Sequence, residues 1–231
     1  MKPYFETELG KLYNGDCLEV MEELIKQGIK VDAIITDPPY GMDYSRHIKN
    51  AKHDKIKNDN NLDWLDSYLK KAKKIMNDDS GIFMFCSYHH IDIFKSEFQK
   101  YFKLRNILIW NKGGMGMGDL KTTFGSTYEV ILYGNIGRVE LNGNRDNDVI
   151  ENISRSGNEL HPTQKPAELI QYLIEKITKK NDLVLDTFSG SGTLAEAAEQ
   201  LKRRWICIEL EEKYCKVTKQ RFQKGIQQTL L

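Results

Sequence analysis

Short apolar runs that alternate with helical periodicity constrain the fold of this 231-residue chain more than any other feature. The run Val31–Thr36 is almost unbroken, as expected for a strand that is covered on both faces. Residues 62–76 repeat leucine and alanine at three- and four-residue spacing, which predicts a helix that Asp78–Gly81 ends. Because strands that alternate with helices form mostly parallel sheets, we predict an α/β fold. Consecutive strand-like runs at residues 104–110 and 128–133 predict an antiparallel hairpin at one edge of the sheet.

The composition limits the class of protein before any motif is considered. With 40% hydrophobic and 29% charged residues, the chain has the composition of one ordinary globular domain. No apolar run approaches the ~20 residues of a membrane helix, and the first residues do not form a signal peptide, so we expect a cytoplasmic protein without membrane contact. The net charge is +1, so any nucleic-acid binding must come from local basic patches. The four cysteines include no Cys-x-x-Cys pair, and we predict no metal site.

The segment Asp37-Pro38-Pro39-Tyr40 follows directly on the run Val31–Thr36. Each proline fixes its own φ and favours an extended conformation in the residue before it. The carboxylate of Asp37 should therefore project from the end of the strand, with the ring of Tyr40 beside it. An acceptor next to an aromatic face suits a planar substrate that carries an amino group, although an ordinary surface turn would contain the same residues.

A second signal is the glycine-rich turn Phe188–Gly192, which lies between a strand-like run that ends at Asp186 and a predicted helix. Such a turn lets a ligand approach the backbone near a helix N-terminus. Ala195 occupies the third glycine position of the Gly-x-Gly-x-x-Gly pattern, which disfavours a pyrophosphate cofactor such as NAD and favours a nucleoside without phosphates. Asp186 could pair with a cationic group of that ligand, and Glu209, at the end of the next run, could accept hydrogen bonds from ribose hydroxyls.

These two motifs, in this order, resemble those of the S-adenosylmethionine-dependent DNA amino-methyltransferases of the permuted β group. Further matches are Asn14-Gly15-Asp16-Cys17-Leu18 and His161-Pro162-Thr163-Gln164-Lys165-Pro166. The resemblance implies a Rossmann-like, circularly permuted methyltransferase fold, with a seven-stranded, mostly parallel sheet, an antiparallel edge hairpin and helices on both faces. It implies one catalytic domain over residues 1–231, S-adenosyl-L-methionine as cofactor and double-stranded DNA as substrate. A homodimer and a cognate restriction endonuclease stay open as further partners.

The resemblance also implies two groups of site residues. In the catalytic group, Asp37 and the carbonyl of Pro38 would accept hydrogen bonds from the amino group of a flipped-out base, and Tyr40 would stack on that base. In the cofactor group, Asp16 and Cys17 would recognise the adenine of the cofactor, and Glu209 would bind its ribose. The other residues of this group would lie near the methionine moiety. The catalytic residues are Asp37, Pro38, Pro39 and Tyr40; the cofactor residues are Asp16, Cys17, Asp37, His161, Thr163, Lys165, Asp186, Phe188, Ser189, Gly190, Gly192, Thr193 and Glu209.

The identity of the base and of the DNA contacts depends on weaker signals. Aspartate at the first position of the tetrapeptide is typical of adenine-N6 enzymes in this family, and serine of permuted cytosine-N4 enzymes, so we predict adenine and keep cytosine as the alternative. Three segments are candidates for target contacts: a basic, mobile loop at residues 41–60, a glycine loop at residues 113–118, and a target-recognition insert at residues 134–160. The candidate DNA-binding residues are Arg46, Lys49, Lys52, Lys55, Lys57, Arg138, Arg145 and Arg155.

Other functions are compatible with parts of the pattern. An RNA or protein-amide methyltransferase would keep the cofactor turn, but asparagine in place of Asp37 would favour it more. A catalytically inactive nucleic-acid-binding subunit is disfavoured because the acceptor and the glycine turn are both intact. A dinucleotide-dependent oxidoreductase is disfavoured by the missing third glycine.

Overall fold

The computed structural model describes residues 1–41, 61–114, 121–153 and 164–229, without the side chains of residues 224–229. The strands in this part of the chain are β1 (Phe5–Glu6), β2 (Gly10–Asn14), β3 (Val31–Thr36), β4 (Met76–Cys86), β5 (Lys103–Asn111), β6 (Tyr128–Ile136), β7 (Val149–Ile150), β8 (Leu183–Asp186) and β9 (Arg204–Glu209). The helices are α1 (Cys17–Lys26), α2 (Leu65–Ile75), α3 (Ile91–Gln99), α4 (Ala167–Ile177), α5 (Thr193–Gln200) and α6 (Glu212–Thr229).

All nine of these strands form one sheet in the order β1-β2-β9-β8-β3-β4-β6-β5-β7. The five strands from β2 to β4 are parallel, and β6 is antiparallel to both β4 and β5. The prediction of a mostly parallel α/β sheet with an antiparallel hairpin is therefore confirmed. The strand count of seven was wrong, because the two-residue strands β1 and β7 extend the sheet at its two ends and are too short to produce a periodic pattern.

Helices cover both faces of the sheet, as predicted. On one face the side chains of α4 and α5, such as Leu173 and Leu194, pack on the sheet around Ile35. On the other face α1, α2 and α3 pack on the sheet, with Met21 and Leu69 among the fully buried residues. A sheet buried on both faces explains why its central strands are continuous apolar runs in the sequence.

The order of the strands changes direction between β3 and β8. Chain order continues from β3 to β4 on one side, whereas β8, β9 and β2 follow one another on the other side. In open parallel sheets, such a switch point leaves a crevice at the C-terminal ends of the strands, where ligands bind. We call this side of the sheet, with Thr36, Asp186 and Glu209 at its strand ends, the crevice edge, and the opposite side the far edge.

The transition from α2 to β4 differs from the prediction. Asp78–Gly81 was expected to end the helix, but β4 begins at Met76, directly after Ile75, and runs through these polar residues. Gly81 packs closely against α4, because a Cβ atom there would lie 2.9 Å from Cδ1 of Ile177, whose side chain would have to shift. A glycine that serves close packing and a glycine that ends a helix are indistinguishable in one sequence.

The predicted insert at residues 134–160 is only partly irregular. Its first residues complete β6, after which the backbone amide of Arg138 donates to Asp79 at 2.7 Å and the side chain of Asn142 donates to the carbonyl oxygens of Glu175 and Thr178. These contacts fix the segment at the far edge, beside the C-terminus of α4. The chain then returns along β7, which pairs with β5.

None of the helices in the described residues is long and apolar enough to cross a membrane.

Candidate active site

The two predicted motifs meet at the centre of the crevice edge. Asp37 follows β3, and Asp186 ends the neighbouring strand β8. The hydroxyl of Thr36 donates to Oδ1 of Asp186 at 3.2 Å and lies 3.0 Å from the hydroxyl of Thr187. These buried hydroxyl groups join strands that are about 150 residues apart in the chain.

The carboxylate of Asp37 has a partner on each oxygen. The hydroxyl of Tyr40 donates to Oδ1, and the ammonium of Lys165 donates to Oδ2. Lys165 is 8% exposed, and its Nζ also lies 3.2 Å from Oε2 of Glu129 and 4.9 Å from the centre of the Phe85 ring. One buried ammonium is therefore shared between two carboxylates.

Two lysines control the charges around this carboxylate pair. Burial raises the pKa of Asp37 above its ordinary value, and the neighbouring Lys165 opposes that rise. Burial alone would lower the pKa of Lys165, but Asp37 and Glu129 together raise it above its ordinary value. Burial alone would raise the pKa of Glu129, but Lys165 and Lys112 lower it, Lys112 from 3.5 Å. Lys165 and Glu129 are therefore both charged at neutral pH.

The backbone of the Asp-Pro-Pro-Tyr segment is held from the next strand along the sheet. The chain leaves β4 in a short 3₁₀ turn, Tyr88–His90, and Nδ1 of His90 lies 2.7 Å from the carbonyl oxygen of Tyr40. The ring of Tyr40 meets that of Phe94 edge-on, with ring centres 6.3 Å apart. Together with the two prolines, these contacts fix the position of the Tyr40 ring beside Asp37.

Two buried carboxylates flank the glycine turn. Oδ1 of Asp186 accepts a hydrogen bond from the amide of Phe188 at 3.1 Å, and Oε2 of Glu209 accepts one from the amide of Gly190 at 2.7 Å. Each carboxylate is 8% exposed, and burial raises the pKa of each to about 7. At neutral pH this part of the crevice therefore holds negative charge that burial makes unfavourable.

The turn itself has the geometry that its glycines suggest. Gly190 and Gly192 have φ angles of 50° and 78°, which side chains rarely adopt, and the amide of Gly192 donates to the carbonyl of Ser189 at 2.8 Å. Thr193 then begins α5 and is buried. The hydroxyl of Ser189 is buried and has no hydrogen-bond partner among the described residues. An orphaned hydroxyl beside a glycine turn is one that a ligand could satisfy.

Asp16 and Cys17 follow β2, whose last residue, Asn14, pairs with Glu209. Asp16 is the N-cap of α1, where its Oδ1 accepts hydrogen bonds from the amides of Leu18 and Glu19. The preceding amide, that of Gly15, donates to the carbonyl of Glu209 at 3.0 Å. Burial raises the pKa of the Cys17 thiol to about 12, so this residue is a neutral thiol.

Several residues of this region were missed by sequence reasoning. Trp64 and Tyr68 pack against the ring of Phe188 at 5.5 and 5.6 Å, and the hydroxyl of Tyr68 lies 2.9 Å from that of Thr187. Glu129 is the one charged residue of the run at residues 128–133, and that isolated charge was a signal that could have been followed. No comparable signal identifies the two aromatic residues, because their spacing is that of any helix packed on a sheet.

Two of the candidate DNA-contact residues, Arg138 and Arg145, lie in the part of the chain that the structure describes. Arg138 is paired with Glu140, and Arg145 precedes Asp146, which contacts Lys176 of α4, so both arginines lie toward the far edge. The first half of the insert thus packs against the end of α4, and the role of the insert in target recognition stays a prediction. The remaining predicted residues Arg46, Lys49, Lys52, Lys55, Lys57, Arg155, His161 and Thr163 and most of the glycine loop lie outside the described residues.

Comparison with known proteins identifies the family. Residues 31–220 match the N6/N4 family of DNA methylases. This chain belongs to that family. The type II methyltransferase M2.MboI of Moraxella bovis is 29% identical over 254 residues, which cover 96% of this chain and 91% of the relative. The type II methyltransferase M2.LlaDCHI of Lactococcus lactis subsp. cremoris is 29% identical over 256 residues, which cover 97% of this chain and 93% of the relative.

A solved structure supports the same assignment. The complex of M1.HpyAVI with SAM is 26% identical, has a TM-score of 0.74, and covers 92% of this chain and all of that one. The predicted Rossmann-like methyltransferase fold and the cofactor S-adenosylmethionine are thereby confirmed.

The crevice of this DNA methylase has a chemistry that fits that cofactor. S-adenosylmethionine carries a sulfonium, an ammonium and ribose hydroxyls, and no phosphate. Asp186 and Glu209 provide buried carboxylates whose raised pKa reflects burial, and Ser189 provides the unpaired hydroxyl. Asp186 would hold the ammonium and Glu209 the ribose hydroxyls.

Proposed function

We propose that this DNA methylase transfers a methyl group from S-adenosylmethionine to the exocyclic N6 amino group of a flipped-out adenine in double-stranded DNA, at a specific sequence. The observation that carries the proposal is the carboxylate of Asp37, held beside the ring of Tyr40 and one strand away from Asp186. The aspartate at the first position of the tetrapeptide supports adenine. The names of the type II relatives support DNA as substrate and a restriction-modification context.

Asp37 would act on the amino group of the base. The lone pair of that nitrogen is delocalised into the ring, so the amine is a poor nucleophile until acceptors draw on its hydrogens. Asp37 and the carbonyl of Pro38 are such acceptors, and they compensate the positive charge that develops on the nitrogen during transfer. Each carboxylate oxygen has a second lone pair, so Asp37 can accept from the amine without releasing Lys165.

Tyr40 would exchange one partner for another when the base enters. In the structure its hydroxyl donates a hydrogen bond to Asp37, and its ring has Phe94 at one edge. A base that stacks on the ring brings its own amino group to Oδ1 of Asp37. The hydroxyl of Tyr40 thus keeps that oxygen hydrogen-bonded until the amine replaces it.

The other side of the crevice binds the methyl donor. S-adenosylmethionine supplies a methyl group that its sulfonium makes electrophilic. Asp186, Glu209 and the backbone of the glycine turn bind and orient it, and the adjacency of β3 and β8 brings that methyl group near the amine. Positioning two reactants in this way provides a large share of the advantage of such a site.

An isosteric change at Asp37 tests the proposal. Asp37→Asn should keep the affinity for S-adenosylmethionine in calorimetry and lower tritiated-methyl transfer to DNA by about 100-fold or more, because one acceptor becomes a donor. Asp148→Asn, at an exposed aspartate, is the matched control and should retain full activity. Full activity of Asp37→Asn would refute the assignment.

The base is identified separately. Mass spectrometry of nucleosides from DNA methylated by the wild-type protein should detect N6-methyladenine. Methylcytosine without methyladenine would overturn adenine and leave the family assignment intact. RNA and protein substrates offered with the same labelled donor should remain unlabelled.

Contacts with DNA phosphates are proposed for the basic segment at residues 41–60. Neutralising Lys52, Lys55 and Lys57 together should flatten the dependence of DNA affinity on salt, since each lost phosphate contact lowers the slope by about one unit. An unchanged slope would count against this role. A homodimer and an accompanying restriction endonuclease are further proposals, tested by sedimentation of the free protein and by cleavage assays on unmethylated host DNA.

A further inference from the structure

Two exposed aromatic side chains in the described part of the chain lie together at the crevice edge. Among the described residues, the large aromatic side chains with the greatest exposure are Tyr88 at 44%, Tyr128 at 37% and the fully exposed Phe124. Tyr88 lies just after β4, and Tyr128 begins the antiparallel strand β6, so both occur where β4 ends. Most aromatic residues bury their rings, and an exposed group at one place on a protein indicates a surface that binds something.

Tyr88 and Tyr128 form one surface. Their ring centres are 5.9 Å apart, and the imidazole of His89 lies 4.0 Å from the Tyr88 ring. The hydroxyl of Ser87 accepts a hydrogen bond from the amide of His89, and this cap fixes the turn that presents the rings. We call Tyr88, His89 and Tyr128 the aromatic platform.

The aromatic platform is continuous with the proposed base pocket through two contacts. On one side, His90 follows the platform in the chain, and its Nδ1 contacts the carbonyl of Tyr40 at 2.7 Å. On the other side, Glu129 follows Tyr128 and pairs with Lys165, which pairs with Asp37. The platform therefore lies next to the residues that contact Asp37 and Tyr40.

We propose that the aromatic platform stacks on the bases that lose a neighbour when the target nucleotide leaves the duplex. This inference rests on the proposed function. Extruding a nucleotide leaves adjacent bases without a stacking partner, and aromatic rings replace such a partner for any base. The two phenol rings of the platform present flat aromatic faces, which suit the face of a base better than a phosphate.

The test uses the DNA fragment that the wild-type protein methylates. Tyr88→Ala and Tyr128→Ala should each weaken its binding by about 5- to 100-fold, which is the range for loss of one base–aromatic stack. Tyr88→Phe and Tyr128→Phe keep the rings and should bind within about threefold of wild type. Leu141→Ala is the matched control, since Leu141 is 44% exposed like Tyr88 but lies in the segment at the far edge. Affinity for S-adenosylmethionine should be unchanged in every variant.

A fluorescent base locates the stack. With 2-aminopurine beside the target nucleotide, stacking on the platform should quench emission in the wild-type complex, and the Tyr88→Ala, Tyr128→Ala double variant should brighten it. If the wild type methylates DNA but the double variant shows unchanged DNA affinity and unchanged emission, the proposed role of the aromatic platform is refuted and the proposed function is not. A change in sedimentation of the free double variant would show that the surface joins two copies of the chain, and would also overturn it. Failure of the wild type to methylate any DNA would instead refute the proposed function.

Discussion

Replacing Asp186 with asparagine should stabilise the ligand-free protein at alkaline pH and weaken its binding of the cofactor. The Asp186 carboxylate is 8% exposed, and burial raises its pKa from 3.8 to about 7. Asparagine has nearly the same shape, and its carbonyl oxygen can still accept from the Thr36 hydroxyl and the Phe188 amide. The substitution therefore removes the charge and leaves these two hydrogen bonds in place.

The magnitude follows from the difference in pKa between the folded and unfolded states. Because the folded state holds the proton more tightly, ionisation of Asp186 opposes folding: the penalty is absent below about pH 4, grows between pH 4 and 7, and is complete above pH 7. At full ionisation a shift of about three units corresponds to a penalty on the order of 4 kcal/mol. Desolvation of the new amide has a cost that does not depend on pH. The gain in stability from Asp186→Asn should therefore be about 2–3 kcal/mol larger at pH 8 than at pH 5.

Urea unfolding without cofactor, followed by tryptophan fluorescence at pH 5, 6, 7 and 8, measures this difference. Asp148→Asn is the matched control, because it makes the same substitution at an exposed aspartate. A stability difference for Asp186→Asn that stays constant, or that falls as the pH rises, would refute the reasoning.

The affinity for the cofactor should rise with pH, whereas the contribution of Asp186 to stability falls. The wild-type affinity for S-adenosylmethionine should increase as the pH rises through about 7, since the ammonium of the ligand pairs with the ionised Asp186. Asp186→Asn should lose this dependence and bind about 10- to 100-fold more weakly at pH 8, as expected for a hydrogen bond that loses its charge. Calorimetry across the same pH values provides the comparison.

Two further predictions concern the glycine turn and the shared lysine. Gly192→Ala should lower the free energy of unfolding by about 2–4 kcal/mol, because it combines a left-handed φ with a Cβ atom 2.4 Å from the side chain of Thr218. Gly114→Ala is the control and should change the free energy of unfolding by less than about 1 kcal/mol, because a Cβ atom at Gly114 would meet open space. Urea unfolding midpoints measure both effects, and equal effects would contradict the argument. Lys165→Met should raise the pKa of Asp37 and therefore shift the pH–rate profile of methyl transfer to higher pH. The affinity for the cofactor should change little. An unshifted pH–rate profile would show that Lys165 does not control the charge of Asp37.

The sequence was most informative where a residue type is required by backbone geometry. The prolines after β3 and the glycines of the turn after β8 are such residues, and both motifs follow buried strands in the structure as predicted. The pairing of β3 with β8 brings the two motifs together. Local patterns thus predicted the elements, and the order of the strands determines where they meet.

Contacts that depend on tertiary packing were not predictable in this way. The prediction that Lys165 lies near the cofactor stays untested, and no pattern in the sequence indicated that its ammonium lies between Asp37 and Glu129, which are about 130 and 36 residues away in the chain. Similarly, the polarity of the segment around Arg138 indicated an exposed insert but not the edge of the sheet on which it lies. The chemistry of a side chain can be read directly from a sequence, whereas the partner of that side chain depends on the fold.

The charges on the two sides of the crevice agree with the ligands that each side is proposed to bind. Around Asp37, two carboxylates lie close to the ammonium groups of Lys165 and Lys112, so this side is close to neutral before any substrate enters. A neutral base needs an oriented acceptor there and no additional charge. Around the glycine turn, Asp186 and Glu209 have their pKa raised to about 7 mainly by burial, and their charge is stabilised chiefly by backbone amides. S-adenosylmethionine carries a net positive charge, and its binding would place a cation beside these two carboxylates. The lysines thus make the acceptor site around Asp37 neutral, whereas the site around Asp186, on the adjacent strand, stays anionic. Methyl transfer from a cation to a neutral amine requires this difference in charge between the two sites.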